Sequence, residues 1–435
     1  MSVNRRDYLA NVRLLLGNKR LGWFGARGDD AHPLLELPNF VTCISLIAPM
    51  HAPGVTAEAS LEEITHRRID LDQYDFDSDA SPGAVELRTV ALRMLTGVDI
   101  LVPYRPLQFF SLVMFPLGDS VRYFGNFHEH QVAFENKPWV ESELRKLGVR
   151  MMPWAYFMPS EVNRAVEQLA SGPVVVRRIR SSGGSGLRLV ESEPEFRRLL
   201  AKADDLFVAV CPFFERAYPL NVGGCVFPDA SVTLHTPSVQ LIGVEGCTTR
   251  RFGYCGNDFA AASQLTAEMW DDLERQVRKI GGWLAGKGYV GAFGVDALSA
   301  DEGVYVTEIN PRFQGSSRIS ADIDRAQHRV DLYLAHLGSF LGLPNPGSLP
   351  LRELARSQTP SAQVYFHNLD AGPVRSGSHA PVGDSQFEWQ LLPEPATSID
   401  SGGILCRGVL RDIDHTGDWR ERLLPKGLPL PEGRA

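Results

Sequence analysis

Two carboxylates, an amide and a guanidinium fall close together in the segment from Gly291 to Ser317: Asp296, Glu308, Asn310 and Arg312. Val304 to Asn310 alternates like a half-buried strand. That pattern places Val304, Val306, Glu308 and Asn310 on one face and Tyr305 and Thr307 on the other. A turn at Asp301, Glu302 and Gly303 folds the preceding strand back and brings Asp296 within reach of both. Oxygen ligands without His or Cys suit a hard cation such as Mg²⁺, which keeps several waters and binds substrate phosphates. Arg312 carries a fork of donors suited to phosphate oxygens or to charge developing on a carboxylate. Taken alone, such residues more often make an acidic hairpin facing solvent, and an upstream motif shifts that balance.

That motif is Pro173 to Val190, PVVVRRIRSSGGSGLRLV: a β-branched run, an Arg-rich end, a Ser/Gly loop and a second apolar strand. A glycine loop between strands exposes backbone N–H groups and lets a polyphosphate approach without a Cβ in the way. It lacks the Gly-Lys-Ser/Thr of a Walker loop, and no helix opens from its glycines as a dinucleotide fingerprint requires.

Together these segments resemble the ATP-grasp superfamily. Pro173 to Arg177 is similar to the strand that ends in a phosphate-binding Lys, here replaced by Arg177. Ser181 to Gly186 resembles the loop that closes over the triphosphate. Asp296 with Glu308, Asn310 and Arg312 resembles the family's paired-Mg²⁺ hairpin. Phe207 to Cys211 is similar to the strand linking the two ATP-binding subdomains, with Cys211 where a carboxylate often sits, and Ser238 to Gln240 resembles a biotin carboxylase segment. The resemblance covers about residues 131 to 330. It implies a mixed α/β (α+β) chain with an ATP-grasp fold in four parts. These are an N-terminal α/β pre-ATP-grasp domain (1–130), a small subdomain carrying the nucleotide lid (131–210), a large subdomain with the Mg²⁺ site (211–335), and a small β-rich C-terminal unit with a tail (336–435).

The same resemblance assigns roles. ATP is expected to be bound by Lys137, Arg177, Arg180, Ser182, Gly183, Gly184, Ser185, Gly186, Val210, Cys211 and Gln240. Two Mg²⁺ ions, with Mn²⁺ as an alternative, would sit on Asp296, Glu308 and Asn310, while Arg312 and Arg177 would act in catalysis. Asn221 and Gln240 would flank a reacting carboxylate. The implied chemistry transfers the γ-phosphoryl of ATP to a carboxylate, giving an acyl phosphate that an amine attacks. The run NVGGCVF…SVQLIG makes the chain look most like stand-alone carboxylate-amine ligases, including peptide ligases of secondary metabolism of the pheganomycin type. Thioester formation, carboxylation and a non-catalytic nucleotide-binding module are the alternatives.

Other elements must hold these residues in place. Val140, Leu144 and Leu147 make Asn136 to Gly148 a short amphipathic helix with Lys137 at its head. Ser160 to Leu169 and the capped segment from Ser192 read as further helices. Trp270, Leu273, Val277, Ile280 and Leu284 recur at helical steps within Thr266 to Gly286 and must bury one face. Phe40 to Pro49 and Val98 to Pro116 read as buried strands, separated by the acidic stretch Asp70 to Asp79, which reads as a solvated loop. Beyond a Pro-rich linker at 343–350, Ser361 to His367 and Gly403 to Leu410 read as strands.

Composition bounds the class. The 435 residues are 44% hydrophobic, enough for a sizeable core, and the net charge of −8 argues against general nucleic-acid binding. Six scattered cysteines without CxxC pairing read as reduced thiols. The N-terminal Leu run is too short for a signal-peptide core, and no apolar run reaches membrane-spanning length, so a cytoplasmic enzyme is expected. Its expected partners are small-molecule or peptide carboxylate and amine substrates, with neither nucleic acid nor membrane. A homo-oligomer is left open, since no coiled-coil pattern is present.

Overall fold

The computed structural model describes residues 3–117, 120–178, 183–201, 207–356, 360–377 and 386–413, without the side chains of 113–117, 128 and 129. The first strands are β1 (Leu21–Arg27), β2 (Phe40–Ile47), β3 (Ala57–Ser60), β4 (Arg67–Arg68), β5 (Ile100–Pro103) and β6 (Arg122–Tyr123). All but β4 form a parallel sheet in the order β3-β2-β1-β5-β6. The order reverses direction between β1 and β5.

β7 (Ala155–Phe157), β8 (Val174–Arg178), β9 (Leu187–Val190) and β10 (Val208–Pro212) make an antiparallel sheet in the order β7-β10-β8-β9. The remaining strands are β11 (Tyr218–Val226), β12 (Val232–Leu234), β13 (Ser238–Ile242), β14 (Tyr254–Asp258), β15 (Gly291–Ala300), β16 (Gly303–Asn310), β17 (Ser361–His367), β18 (Val374–Arg375), β19 (Glu388–Gln390), β20 (Ser398–Ile399) and β21 (Ile404–Arg411). The large sheet runs β16-β15-β11-β13-β14-β17-β21-β19, with β12 on β11. The β-rich C-terminal segment therefore extends the same sheet as the acidic hairpin. β18, β20 and β4 form a small separate sheet.

The helix Ala267–Gly286 buries Trp270, Leu273, Val277, Ile280 and Leu284 against the large sheet, as its periodicity requires. Thr266 caps its start by accepting a hydrogen bond from the Met269 N–H. A second helix, Leu332–Leu341, ties the parallel sheet to the large one. His336 accepts the Ala292 N–H at Nδ1 (3.0 Å), which leaves Nε2 to donate to the Phe124 carbonyl (2.9 Å). Phe313 stacks on Tyr333 across the same seam, and Trp23 packs tilted against both.

Two expectations change. Val98 to Pro116 is one strand only at Ile100–Pro103, and Gln108–Leu117 is a helix. A continuous apolar run carries no period with which to separate the two. The acidic stretch is not simply solvated: Asp70 and Phe76 are buried, Asp70 and Asp72 pair with Arg250, and Asp77 accepts the Gln108 and Phe109 N–H groups.

Candidate functional site

The hairpin of β15 and β16 places Asp296 directly opposite Glu308. It does so through a register break: Ala297 pairs with Val306, which leaves Thr307 as an extra residue on β16. The bulge corrects the strict alternation expected from sequence. Val304, Val306 and Ile309 enter one hydrophobic core, so Glu308 and Asn310 turn to the opposite face. Without the extra residue, the carboxylate and the amide would point into that core, where an unpaired charge is costly.

Asp296 is ringed by amides. Its Oδ1 accepts from Asn221 Nδ2 (2.6 Å), Gln240 Nε2 (3.1 Å) and Gln314 Nε2 (3.3 Å), and its Oδ2 from Asn310 Nδ2 (2.9 Å). Burial, then the neighbouring Glu308 charge, pushes the Asp296 carboxyl up to about 6, against the pull of the Asn221 hydrogen bond and Arg312. Burial would also raise Glu308, but the charge and hydrogen bond of Lys137, at 2.5 Å, hold it below its ordinary value.

Lys137 stands at the first turn of the helix Lys137–Lys146, and Glu141, one turn on, shares its face. Glu141 is buried and takes Arg177 Nη2 at 2.6 Å, while the Tyr156 hydroxyl donates to Glu141 at 2.6 Å and accepts from Arg177 at 2.9 Å. The Arg177 guanidinium also lies 4.1 Å from the Trp154 ring centre. One helix thus holds both the hairpin cation and the β8 arginine, although Arg177 is already paired. Arg312 donates to Asn310 Oδ1 (2.9 Å) and to the Phe313 carbonyl (3.0 Å), and its guanidinium lies over Tyr104.

Arg180 and Ser182 lie outside the described residues. Ser185 and Gly186 follow Gly183 and Gly184 in a turn leading into β9. Gly183 approaches the Asp72 carboxylate so closely that an added Cβ would lie 2.0 Å from its Cγ, and one on Gly184 would lie 1.9 Å from the Phe252 carbonyl oxygen. Both glycines have positive φ, +53° and +76°. The loop is thus docked against the acidic stretch and the 250–253 turn. Val210 and Cys211 lie on β10, buried, and burial pushes the Cys211 thiol up to about 12. Cys211 packs beside Met152, Trp154, Val175 and Ala209, consistent with a small packing residue.

Residues 135–316 match the sequence profile of the ATP-grasp domain. The chain carries an ATP-grasp domain. A formate-dependent phosphoribosylglycinamide formyltransferase of Chlorobaculum tepidum is 25% identical over 247 residues, 54% of this chain and 58% of that protein. The match thus spans little more than half of that relative. Among solved structures, the biotin carboxylase β,γ-ATP complex of Campylobacter jejuni is similar with a TM-score of 0.62 at 14% identity, covering 94% of this chain and 91% of that one. N5-carboxyaminoimidazole synthetase of Staphylococcus aureus is similar with a TM-score of 0.58 at 12% identity, covering 93% and 96%. Both likenesses extend the shared fold well beyond the ATP-grasp domain.

Within this ATP-grasp domain the hairpin suits a hard cation. Among the described residues no group of three or more His, Cys, Asp or Glu side chains is placed to hold a metal; the hairpin offers two carboxylates and an amide oxygen. Two acids facing each other, one raised by burial, are the donors that a divalent ion would stabilise. Sequence reasoning missed Glu141 and Gln314. Glu141 was legible as the i+4 neighbour of Lys137. Gln314 had no signal, since its approach to Asp296 depends on how the chain turns after Arg312. All six cysteines are buried and free, and no helix of the described residues is long and apolar enough to cross a membrane.

Proposed function

We propose that this protein is a cytoplasmic ATP-dependent ligase that joins a carboxylate to an amine in peptide or secondary-metabolite biosynthesis, releasing ADP and phosphate. The observation that carries the reading is the facing pair Asp296 and Glu308, with Lys137 on Glu308 and Arg312 on Asn310. A carboxylate resists amines because its leaving group would be oxide. Transfer of the γ-phosphoryl group breaks its bond to the bridging oxygen of ADP and forms one to the carboxylate oxygen. The amine then attacks the carbonyl carbon, loses a proton and expels phosphate.

Asp296, Glu308 and Asn310 would hold Mg²⁺, which offsets charge on the β- and γ-phosphates. Lys137 neutralises Glu308 and is placed to pass to a phosphate oxygen when a cation takes over the carboxylate. Arg312 faces charge developing on the reacting carboxylate. Asn221, Gln240 and Gln314 hold Asp296 in one orientation. Gly183 to Gly186 close over the triphosphate and exclude the water that would hydrolyse the acyl phosphate.

Nucleotide products analysed with Mg-ATP, pooled amino acids and short peptides, with and without bicarbonate or a thiol, test this reading. ADP with a product mass equal to two substrates less water supports it. AMP, or turnover that needs bicarbonate or a thiol instead of an amine, refutes it.

A further inference from the structure

A cleft of about 440 Å³ opens where residues 61–81 meet the turns at 371–373 and 400–401. None of the side chains gathered around Asp296 lines it. Its volume falls within the range of about 300–1,000 Å³ typical of small-molecule sites. Part of the wall is apolar: Leu61 and Ile69 are buried in the core below it, and Pro373 faces them from the turn. Gly372 also lines the cleft, and nothing lies within 4 Å of a Cβ added there, so the space in front of it is open.

One carboxylate in this cleft is held ready and left without a counter-ion. Asp79 Oδ2 accepts the Tyr74 hydroxyl (2.7 Å) and the Ser81 hydroxyl (3.0 Å), and Oδ1 accepts the Ser81 N–H (2.8 Å). Burial would raise the Asp79 carboxyl, but these hydrogen bonds hold it below its ordinary value, so it is ionised at neutrality. Among the described residues Asp79 has no ion-pair partner, and the cations around it are engaged. Arg67 spans both oxygens of Asp400 (2.7 and 2.9 Å), and Arg88 donates to the carbonyls of Phe76 and Asp79. Arg250 is shared by Asp70 and Asp72. That pair leaves one negative charge, which offsets the excess of Arg27, Arg318 and Arg407 over Asp29 and Asp30. Arg88 then faces Asp75, Asp77 and Asp79, so this side of the molecule stays negative. A concave surface of one sign concentrates ions of the other.

We propose that this cleft binds an organic cation, an alkyl ammonium or alkyl guanidinium, with its head on Asp79 and its alkyl body on Leu61 and Ile69. A bare metal ion would leave the apolar wall uncovered, an anion would be repelled, and a neutral molecule would leave Asp79 without a counter-charge. The site is separate from Asp296 and does not rest on the ligation reading. Asp70, in the same wall, shares Arg250 with Asp72, against which Gly183 packs, so an occupant sits one ion pair from the glycine loop.

The test is calorimetry on the full chain with n-butylguanidinium, n-butylammonium and their neutral counterpart n-butylurea. The cations are expected to bind, with n-butylurea at least about 10-fold weaker, the scale of one hydrogen bond to a charged group. Asp79→Asn should lower cation affinity by about 10-fold and leave n-butylurea unchanged. Gly372→Phe alters no charge and fills the cleft, so it should abolish binding while the urea unfolding midpoint stays where it was, which shows that the variant is folded. Equal binding of n-butylurea, displacement of the cations by Mg²⁺ at constant ionic strength, cation binding that survives Gly372→Phe, or no binding of either cation overturns the proposal.

Discussion

Replacing Gly184 by alanine tests whether the docked glycine loop matters to turnover. The residue sits at φ +76°, and its Cβ would fall 1.9 Å from the Phe252 carbonyl oxygen and 2.6 Å from its carbon. The turn cannot readily yield, because the Gly253 N–H donates to Arg250 and the Gly253 carbonyl accepts from Gly243 (2.9 and 2.8 Å). The left-handed backbone alone costs an alanine about 1–2 kcal/mol, and the clash adds to this unless the loop withdraws. Withdrawal therefore becomes more favourable by at least that amount, a factor of about 5–30 in the ratio of docked to withdrawn loop. The kcat/KM for ligated product should fall as the withdrawn loop becomes populated, by about 5-fold or more where docked and withdrawn loops are balanced to begin with or withdrawal is favoured, and more ADP should appear per product as water reaches the acyl phosphate. The assay counts ADP and product together in the same reaction. Gly282→Ala is the control: it lies in the helix Ala267–Gly286 with nothing within 4 Å of the added Cβ, and should be neutral or stabilising. An unchanged ratio and rate in Gly184→Ala would show that the docked loop takes no part in protecting the intermediate.

Three further outcomes are expected. Burial lowers His336 to about 4, against the 6.5 of a free imidazole, although its bond to the Phe124 carbonyl opposes this. The unfolded state then binds more protons between those values, so stability is full above pH 6.5 and falls by about 3 kcal/mol as pH drops to about 4. In urea titrations the gap between wild type and His336→Gln should narrow by that amount over the same range; a constant gap would contradict it. Glu141→Ala leaves Arg177 buried without its counter-ion and should cost about 3–5 kcal/mol in denaturant unfolding, whereas a loss under about 1 kcal/mol would mean that another group replaces the pairing. Arg312→Ala should lower kcat with little change in Mg-ATP affinity if Arg312 meets charge formed only in the transition state, and equal losses in both would contradict that role.

The sequence by itself determined the parts of the site that are local. The Asp301–Gly303 turn and the β-branched strands around it are enough to fold Asp296 and Glu308 onto one hairpin, and the period of Thr266 to Gly286 dictates which face packs on the sheet. A glycine loop between strands and a lysine at a helix start are likewise readable, because each rests on neighbours a few residues away. Tertiary structure decided the rest. Thr307 was invisible as a bulge because one extra residue changes no composition, yet it turns Glu308 and Asn310 out of the core. Asp296 finds donors on β11, β13 and the turn after β16, while Arg177 finds Glu141 and Asp29 finds Arg318 and Arg407. Hydrophobic periodicity says which way a side chain faces, not which distant strand end will lie beside it. That second choice is made by strand order in the sheets and by the seam at His336, where three segments remote in sequence share one imidazole.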